Sequence, residues 1–138
     1  MDSLSPEHRS WNMSRIRGGD TKPELRLRSL LHRAGYRFRL HAKDLPGKPD
    51  IVLPRFRTAI FVNGCFWHRH PGCRFATTPS TRPEFWQTKF NGNVERDARN
   101  QATLEAAGWQ VMVVWECELK SGPEAVLERV RSALREVA

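Results

Sequence analysis

The sequence predicts an α/β fold, in which a mixed β-sheet is flanked by helices. Hydrophobic periodicity along the 138 residues gives seven elements in the order α-β-β-β-α-β-α. A short turn between the second and third strands indicates a hairpin, and a helix between the third and fourth suggests a crossover into a mixed sheet. Because the length suits one domain, we expect a basic N-terminal arm at residues 1–20 and a single domain at residues 21–138.

The first predicted helix begins at a capping box. Thr21 stands at the N-cap and Glu24 at the third helical position, where their side chains can satisfy free backbone amides. Gly35 is the expected stop. The inward positions follow at helical spacing: Leu27, Leu30, Leu31 and Ala34.

Four segments have the pattern of strands. Residues 36–40 alternate between apolar and polar side chains, as a half-buried strand does. Residues 50–53 form the second strand, and a hairpin turn at 54–57 leads to the third at 58–62. The third strand is apolar and rich in β-formers, which predicts a buried central strand, and the fourth, at 109–115, is again continuous and apolar.

Two more helices follow. After an irregular segment from Asn63 to Pro83, helical periodicity returns at Glu84 and runs to Ala107, with an expected break near Asn91-Gly92-Asn93. The last helix begins at Pro123. Its expected inner face is Val126, Val130, Ala133, Leu134 and Val137.

The charge balance favours a polyanionic partner. Lys and Arg number 23 against 15 Asp and Glu, which gives a net charge of +8 and a pI near 10.3. In a small domain this points most often to nucleic acid, and a ribosomal protein or a merely solubilising charge is the alternative. No apolar run is long enough to cross a bilayer, and residues 1–17 lack a signal-peptide core, so we expect a soluble, cytoplasmic protein with no membrane partner.

Three cysteines and a nearby histidine pair indicate a zinc site. Cys65, Cys73 and Cys117, with either His68 or His70, would complete a tetrahedral set. Four protein ligands leave no position for water, so such a zinc would be structural. Spacing alone does not choose the histidine, and three ordinary buried thiols are the alternative.

A carboxylate at the start of a strand indicates a magnesium site. Asp50 precedes the second strand, where many nucleases hold Mg²⁺ through oxygen ligands. The partner that such enzymes use, Glu-x-Lys on the adjacent strand, is replaced here by Phe61-Val62-Asn63. Taken alone, the Pro49-Asp50 pair more often marks a turn.

The loop aromatics Phe66 and Trp67 have two interpretations. Exposed aromatic side chains can enter a DNA base step as wedges, or they can cover the zinc site and fill the core. The remaining histidines, His8, His32 and His41, show no constellation, and we interpret them as surface or helix-face residues.

Taken together, several blocks resemble the very-short-patch-repair (Vsr) endonuclease family. The resemblance runs from about Arg9 to Leu119, and so many blocks in one order make it specific. The blocks are Asn12-Met13, Asp20-Thr21 with Glu24, Leu45 to Asp50, Gly64 to His68, Glu84-Phe85-Trp86, Asn93 to Asp97, and Gly108-Trp109 through Val114 to Cys117.

The resemblance implies a restriction-endonuclease-like fold and a Mg²⁺-dependent endonuclease. Such an enzyme nicks one strand of double-stranded DNA next to a T:G mismatch and so initiates very short patch repair. By this resemblance Asp50 holds the catalytic Mg²⁺, to which Val62 contributes, and His68 is the general base for the attacking water. Glu24 matches an acidic residue of the active site.

The resemblance also assigns the zinc ligands and the DNA wedge. It implies that His70 binds zinc together with the three cysteines. Met13, Phe66 and Trp67 match the residues that wedge into DNA beside the mismatch. We expect the protein to act as a monomer, with repair proteins as candidate partners.

Two departures keep alternative functions open. Val62-Asn63 stands where the family commonly has Thr-His; a backbone carbonyl from position 62 tolerates Val, whereas Asn63 can bond a phosphate or water but cannot titrate. Pro71-Gly72 replaces a further His and affects loop shape more than ligation. The alternatives are a zinc module that binds mismatched DNA with impaired catalysis, and a nuclease of related chemistry with another substrate.

Overall fold

The computed structural model describes residues 21–137. The expected basic arm, with Met13, lies outside the described residues. Within these residues, four strands and four α-helices follow one another in the order α-β-β-β-α-β-α-α. They are α1 (Lys22–Arg33), β1 (Arg39–Leu40), β2 (Ile51–Leu53), a 3₁₀ turn (Pro54–Phe56), β3 (Thr58–Asn63), α2 (Pro83–Ala106), β4 (Gln110–Trp115), α3 (Glu116–Ser121) and α4 (Pro123–Val137).

The strands form one mixed sheet in the order β1-β2-β3-β4, which confirms the predicted architecture. The pairs β1–β2 and β2–β3 are antiparallel, whereas β3 and β4 are parallel across the α2 crossover. The register places Ile51 opposite Ile60 and Asn63 opposite Trp115. The hairpin turn contains the 3₁₀ turn, with Arg57 in the left-handed region at a φ of 45°.

One main core forms where α1, α3 and α4 pack together with the sheet. As predicted, Thr21 caps α1 by accepting a hydrogen bond from the Glu24 amide, at 3.4 Å. The buried cluster combines three leucines of α1 with strand residues and the inner face of α4. Its members are Leu27, Leu30, Leu31, Ile51, Leu53, Ile60, Val114, Leu119, Val126, Val130 and Leu134.

Four expectations were wrong in detail. Helix α2 runs without a break through Asn91-Gly92-Asn93, because a helix anchored at other positions tolerates an interior glycine at a cost of about 1 kcal/mol. The strand expected at 36–40 shortens to Arg39–Leu40, although its aromatics still pack on the core. Helix α3 was not expected, and Val137 is exposed rather than on the inner face of α4.

Within residues 21–137, no helix combines the length and the apolar character needed to cross a membrane.

We predict that Gly92→Ala stabilises the protein by about 0.5–1 kcal/mol, since alanine loses less conformational freedom in a helix than glycine. A methyl group at this position would meet only Arg96 Nη2, at 3.9 Å. Chemical denaturation measures the change. Gly108→Ala is the matched control and should destabilise, because Gly108 has a φ of +91° just beyond α2. If Gly92→Ala is destabilising as well, the helix is interrupted where the sequence suggested.

Candidate active site and metal centre

Asp50 lies directly before β2 and points its carboxyl group at β3. The Val62 amide donates a hydrogen bond to Asp50 Oδ2 at 2.7 Å. On the other side, the His41 amide donates to the Asp50 carbonyl at 3.1 Å, which extends the β1–β2 pairing by one residue. Residues opposite one another on an antiparallel pair share a face, so His41 and Asp50 present their side chains together.

Glu24 completes a three-residue cluster with His41 and Asp50, which we call the acidic cluster. Glu24 is only 4% exposed, and its Oε2 lies 3.0 Å from His41 Nε2. The ligand atoms of all three residues lie within 4.8 Å of one another, so the cluster could hold a metal ion. Interpreting His41 as a surface residue outside any constellation was therefore wrong. The sequence gives only a weak signal for the position of His41, because the residue that pairs with it depends on the length of the turn before Asp50.

The acidic cluster changes the acidity of Asp50. The pKa of Asp50 is raised from its ordinary value of 3.8 to about 6, chiefly by burial and in smaller part by the nearby Glu24 carboxylate. The hydrogen bond from Val62 and the electrostatic influence of the neighbouring His41 and His68 oppose this rise in the pKa. His68 is therefore close enough to Asp50 to influence its pKa. A divalent cation would favour the ionised carboxylate, and oxygen ligands suit Mg²⁺.

His68 faces an acid from the long helix. Its Nδ1 lies 2.6 Å from Asp97 Oδ2, and its backbone amide donates to the Gly64 carbonyl at 3.1 Å. One turn earlier on α2, Asn93 donates to the Trp67 carbonyl at 3.0 Å. Asn93 and Asp97 are thus an i, i+4 pair that holds the loop in place. Both lie in a block that carries the family resemblance, but the sequence assigned them no role.

A second cluster gathers Cys65, His70, Cys73 and Cys117, and we call it the cysteine–histidine cluster. All four ligand atoms lie within 4.8 Å of one another. His70 Nδ1 is 3.7 Å from Cys65 Sγ and 3.4 Å from Cys117 Sγ. Ideal tetrahedral zinc, with bonds of about 2.3 Å to sulfur and 2.0–2.1 Å to nitrogen, would separate those atoms by about 3.6 Å. The donor set and its spacing therefore fit zinc.

Without a cation, the surroundings of Cys65 and Cys117 in the cysteine–histidine cluster favour neutral thiols. Burial raises the pKa of Cys65 to about 12, and burial also raises the pKa of Cys117. A backbone hydrogen bond from Phe75 lowers the pKa of Cys73. Zinc binds thiolates, so metal binding here would release protons. The Trp115 ring stacks on His70 with 4.3 Å between ring centroids and fixes its orientation.

Phe66 and Trp67 belong to an aromatic cluster beside α2. The Phe66 ring lies 5.0 Å from Trp67, 6.0 Å from Trp86 and 5.2 Å from the buried Phe90. Both loop aromatics are half-buried, so each keeps surface for a further contact. Arg69 packs over Phe90 at 4.0 Å and donates to the carbonyls of neighbouring loop residues.

The two departing positions lie at the end of β3. Val62 contributes its amide to Asp50, and a role for its carbonyl stays a prediction. Asn63 is 6% exposed and pairs with Trp115 across the parallel β3–β4 ladder. Two residues after Asn63, the Cys65 amide donates a hydrogen bond to Glu116 Oε1 at 3.1 Å, which ties this chain segment to the start of α3.

We predict that His70→Ala abolishes zinc binding and lowers the melting temperature by about 10 °C or more, since 1 kcal/mol corresponds to roughly 3–5 °C in a domain of this size. Elemental analysis and thermal unfolding measure the two effects. His68→Ala is the matched control, because His68 pairs with Asp97 outside the cysteine–histidine cluster. Loss of zinc from His68→Ala with retention in His70→Ala would exchange the two roles.

We predict that Asp50→Asn stabilises the metal-free protein by about 1–3 kcal/mol at pH 7.5, because it removes a carboxylate whose charge the fold disfavours. The folded protein binds the Asp50 proton more tightly than the unfolded chain, so the fold loses stability as the pH rises from about 4 to about 6. The gain from the variant should therefore be full above pH 6 and vanish near pH 4.

Urea unfolding across this pH range, in buffer without divalent ions other than bound zinc, tests this prediction. Asp44→Asn is the control, because the Asp44 side chain is 65% exposed and pairs only with exposed Arg39. A loss of stability in Asp50→Asn at neutral pH would show that the hydrogen bond from Val62 outweighs burial.

Comparisons with known proteins agree with this geometry. The family model described as DNA mismatch endonuclease Vsr matches residues 1–74. A type II nicking enzyme of Xanthomonas oryzae, V.XorIIP, is 53% identical over 96% of each chain. The DNA mismatch endonuclease Vsr of Escherichia coli is 44% identical over 93% of this chain and 81% of its own length.

The fold has a counterpart among solved structures. The catalytic domain of the homing endonuclease I-Bth0305I superposes with a TM-score of 0.58 over 83% of this chain and 94% of that domain, at 21% identity. The mixed sheet with flanking helices and this likeness fit the restriction-endonuclease-like fold. With the family model covering more than half of the chain and a relative 53% identical over almost all of it, the chain belongs to the Vsr family of DNA mismatch endonucleases.

Proposed function

We propose that this protein is a Mg²⁺-dependent endonuclease that nicks one strand of duplex DNA next to a T:G mismatch and so starts very short patch repair. The observation that carries the proposal is the Asp50 carboxyl grouped with Glu24 and His41, with the Asp97-paired His68 close enough to influence its pKa. Family membership, relatives named as nicking enzymes and the net charge of +8 support DNA as the partner.

His68 is suited to accept the proton of the attacking water. A hydrogen bond from Nδ1–H to Asp97 places the ring proton on Nδ1, which leaves the lone pair on Nε2. In phosphodiester hydrolysis the water oxygen would bond to phosphorus, its proton would pass to His68 Nε2, and the bond between phosphorus and the leaving deoxyribose oxygen would break. The leaving oxygen takes a proton from solvent. A positioned base of this kind contributes roughly 10²–10⁴ in rate.

Asp50 would hold the catalytic Mg²⁺, with the Val62 carbonyl as a further oxygen ligand and Glu24 close by. When bound, the ion neutralises charge on the phosphate and lowers the pKa of its water. The fit rests on the donor set, because burial raises the pKa of Asp50 and a cation at this position removes that penalty. Asn63, at the end of β3, would be a neutral hydrogen-bonding residue near the phosphate.

The zinc would be structural. Cys65, His70, Cys73 and Cys117 use all four positions of a tetrahedral ion, so no position is left for water or substrate. The role of the cysteine–histidine cluster is to pin the loop that carries His68 and the half-buried aromatics. This assignment separates the two metals by chemistry, since soft sulfur ligands bind zinc and oxygen ligands bind magnesium.

Phe66 and Trp67, together with Met13 of the arm outside the described residues, would form the DNA wedge. A mismatched step costs less to unstack than a paired step, so a wedge can discriminate between them. The aromatic cluster supports this role, because Trp86 and Phe90 hold the two loop rings from behind. Residues 21–138 would form the nuclease domain and residues 1–20 a DNA-contacting arm, in a monomer that repair proteins can join.

A second candidate is a nicking nuclease of the same chemistry with another substrate. The relatives from Xanthomonas oryzae and Neisseria meningitidis are named type II nicking enzymes rather than mismatch endonucleases, which favours this candidate. The departure at Val62-Asn63 motivates a third, a zinc module that binds mismatched DNA with impaired catalysis.

We predict Mg²⁺-dependent nicking of one strand at the T:G duplex in a panel of end-labelled duplexes that carry each mismatch in several flanking sequences. Asp50→Asn and His68→Ala should lose about 10²-fold or more in single-turnover rate, because they remove the metal ligand and the base. Trp67→Ala should keep the chemistry and reduce the preference for mismatched over paired DNA.

Duplex affinity and zinc content serve as controls, and both should survive in Asp50→Asn and His68→Ala. Nicking of paired DNA at one sequence would support the second candidate. Tight mismatch binding without any nicking would support the impaired module. A variant that nicks within a few-fold of the parent would remove that residue from its role.

A further inference from the structure

The acidic cluster contains a nitrogen donor that a magnesium site does not require. Glu24 Oε2 and His41 Nε2 are 3.0 Å apart, and the Asp50 oxygen is within 4.8 Å of both. Neighbouring ligands on an octahedral ion with bonds of about 2.1 Å are separated by about 3.0 Å, and opposite ones by about 4.2 Å. Glu24 Oε2 and His41 Nε2 therefore have the separation of neighbouring ligands, and an ion bound between them would draw in the Asp50 oxygen from within 4.8 Å.

The fold holds His41 in this position. The backbone pair between His41 and Asp50 fixes the two residues opposite each other at the end of β1. Glu24 reaches them from the first turn of α1, whose buried leucines fix the helix on the sheet. Helix α1 thus holds Glu24, the start of β2 holds Asp50, and the backbone hydrogen bond to Asp50 holds His41 beside them.

We propose that Glu24, His41 and Asp50 form a mixed nitrogen–oxygen metal site in which His41 makes the protein prefer Mn²⁺ over Mg²⁺. The inference rests on the proposed function, because it names the ion that the same site selects. Mg²⁺ is a hard cation that takes oxygen ligands and retains water, whereas an imidazole ligand favours first-row transition ions. Mn²⁺ accepts both carboxylate and imidazole, so the donor set matches it better than Mg²⁺.

Arg28 bears directly on this site. Its Nη2 lies 3.1 Å from Glu24 Oε2 and 3.2 Å from His41 Nε2, so one guanidinium nitrogen contacts the two atoms that would face the ion. A guanidinium only donates, so its hydrogen bond to His41 requires a lone pair on Nε2, and a metal ligand requires the same form. Arg28 thus supplies positive charge to the metal-free cluster, and an entering ion takes its place. The alternative role for His41 is to donate a proton from Nε2 to Glu24.

The test measures metal binding by the zinc-loaded protein in the absence of DNA, so that it does not depend on catalysis. Electron paramagnetic resonance of free Mn²⁺ gives the affinity, and displacement by Mg²⁺ gives the preference. His41→Gln should weaken Mn²⁺ binding by about tenfold or more and change Mg²⁺ binding by less than about threefold, since it exchanges nitrogen for oxygen. His32→Gln, at an exposed position of α1, is the matched control and should change neither.

A spectroscopic readout identifies the ligand directly. Electron spin-echo modulation of bound Mn²⁺ should show a coordinated imidazole nitrogen in the parent and in His32→Gln, and none in His41→Gln. Retained zinc and helical circular dichroism show that the variant is folded, and His41→Asn replaces it if either is lost.

The inference is overturned if the parent binds no Mn²⁺, if His41→Gln leaves both affinities unchanged or lowers them equally, or if its nitrogen signal persists. Loss of that signal only in His68→Gln would give the ligand role to His68. Nicking without the nitrogen signal would leave the proposed function standing and reject this inference. The reverse outcome, a His41-dependent signal without nicking in either metal, would reject the function and keep the metal site.

Discussion

The loop between β3 and α2 depends on side chains to hold its shape, because it has no ladder of backbone hydrogen bonds. Arg69 donates to the carbonyls of Phe66, Ala76 and Thr77 from inside the loop and lies over the Phe90 ring. The cysteine–histidine cluster ties the same loop to α3. This loop carries the candidate base and the candidate wedge, so the contacts that fix the loop also fix the geometry of both. That geometry matters because a catalytic group misplaced by 1 Å can lose about 10²-fold in rate.

The second constraint is electrostatic. Burying Asp50 beside Glu24 places two carboxyl groups where only one is easily ionised, and the fold tolerates this because Arg28 supplies positive charge and the Val62 amide bonds Asp50. Such a cluster is more useful for binding a cation than for stability, because a bound ion reverses the repulsion that the empty cluster must sustain. Under the proposed function the net charge of +8 attracts the DNA backbone, and a cation held by the acidic cluster neutralises charge on one phosphate.

Much of the fold could be predicted, because its signals are local. The capping box at Thr21, the hairpin and the helical crossover each follow from residues close in sequence, and all are present. The family resemblance assigned roles to Asp50, His68 and His70, but no local pattern in the sequence identified His41 or Asp97.

Those two residues were missed because their partners are distant in the chain. His41 meets Glu24 across 17 positions, and Asp97 meets His68 across 29. Such contacts depend on the register of a short strand and on the rotation of a long helix. Helix α2 shows the same limit, since the local signal at Gly92 indicated a break that the anchored helix does not have.

The departure from the family pattern at Val62-Asn63 has different structural consequences at the two positions. Position 62 bonds Asp50 through its backbone amide, which any residue other than proline supplies, so valine in place of threonine leaves this contact intact. Position 63 is opposite Trp115, whose ring stacks on His70 of the cysteine–histidine cluster. The end of β3 therefore connects the acidic cluster and the cysteine–histidine cluster through consecutive residues: Val62 bonds Asp50, and Asn63 lies opposite Trp115. A buried Asn63 contributes a neutral side chain at that junction, so in the proposed mechanism His68 is the residue that accepts the proton.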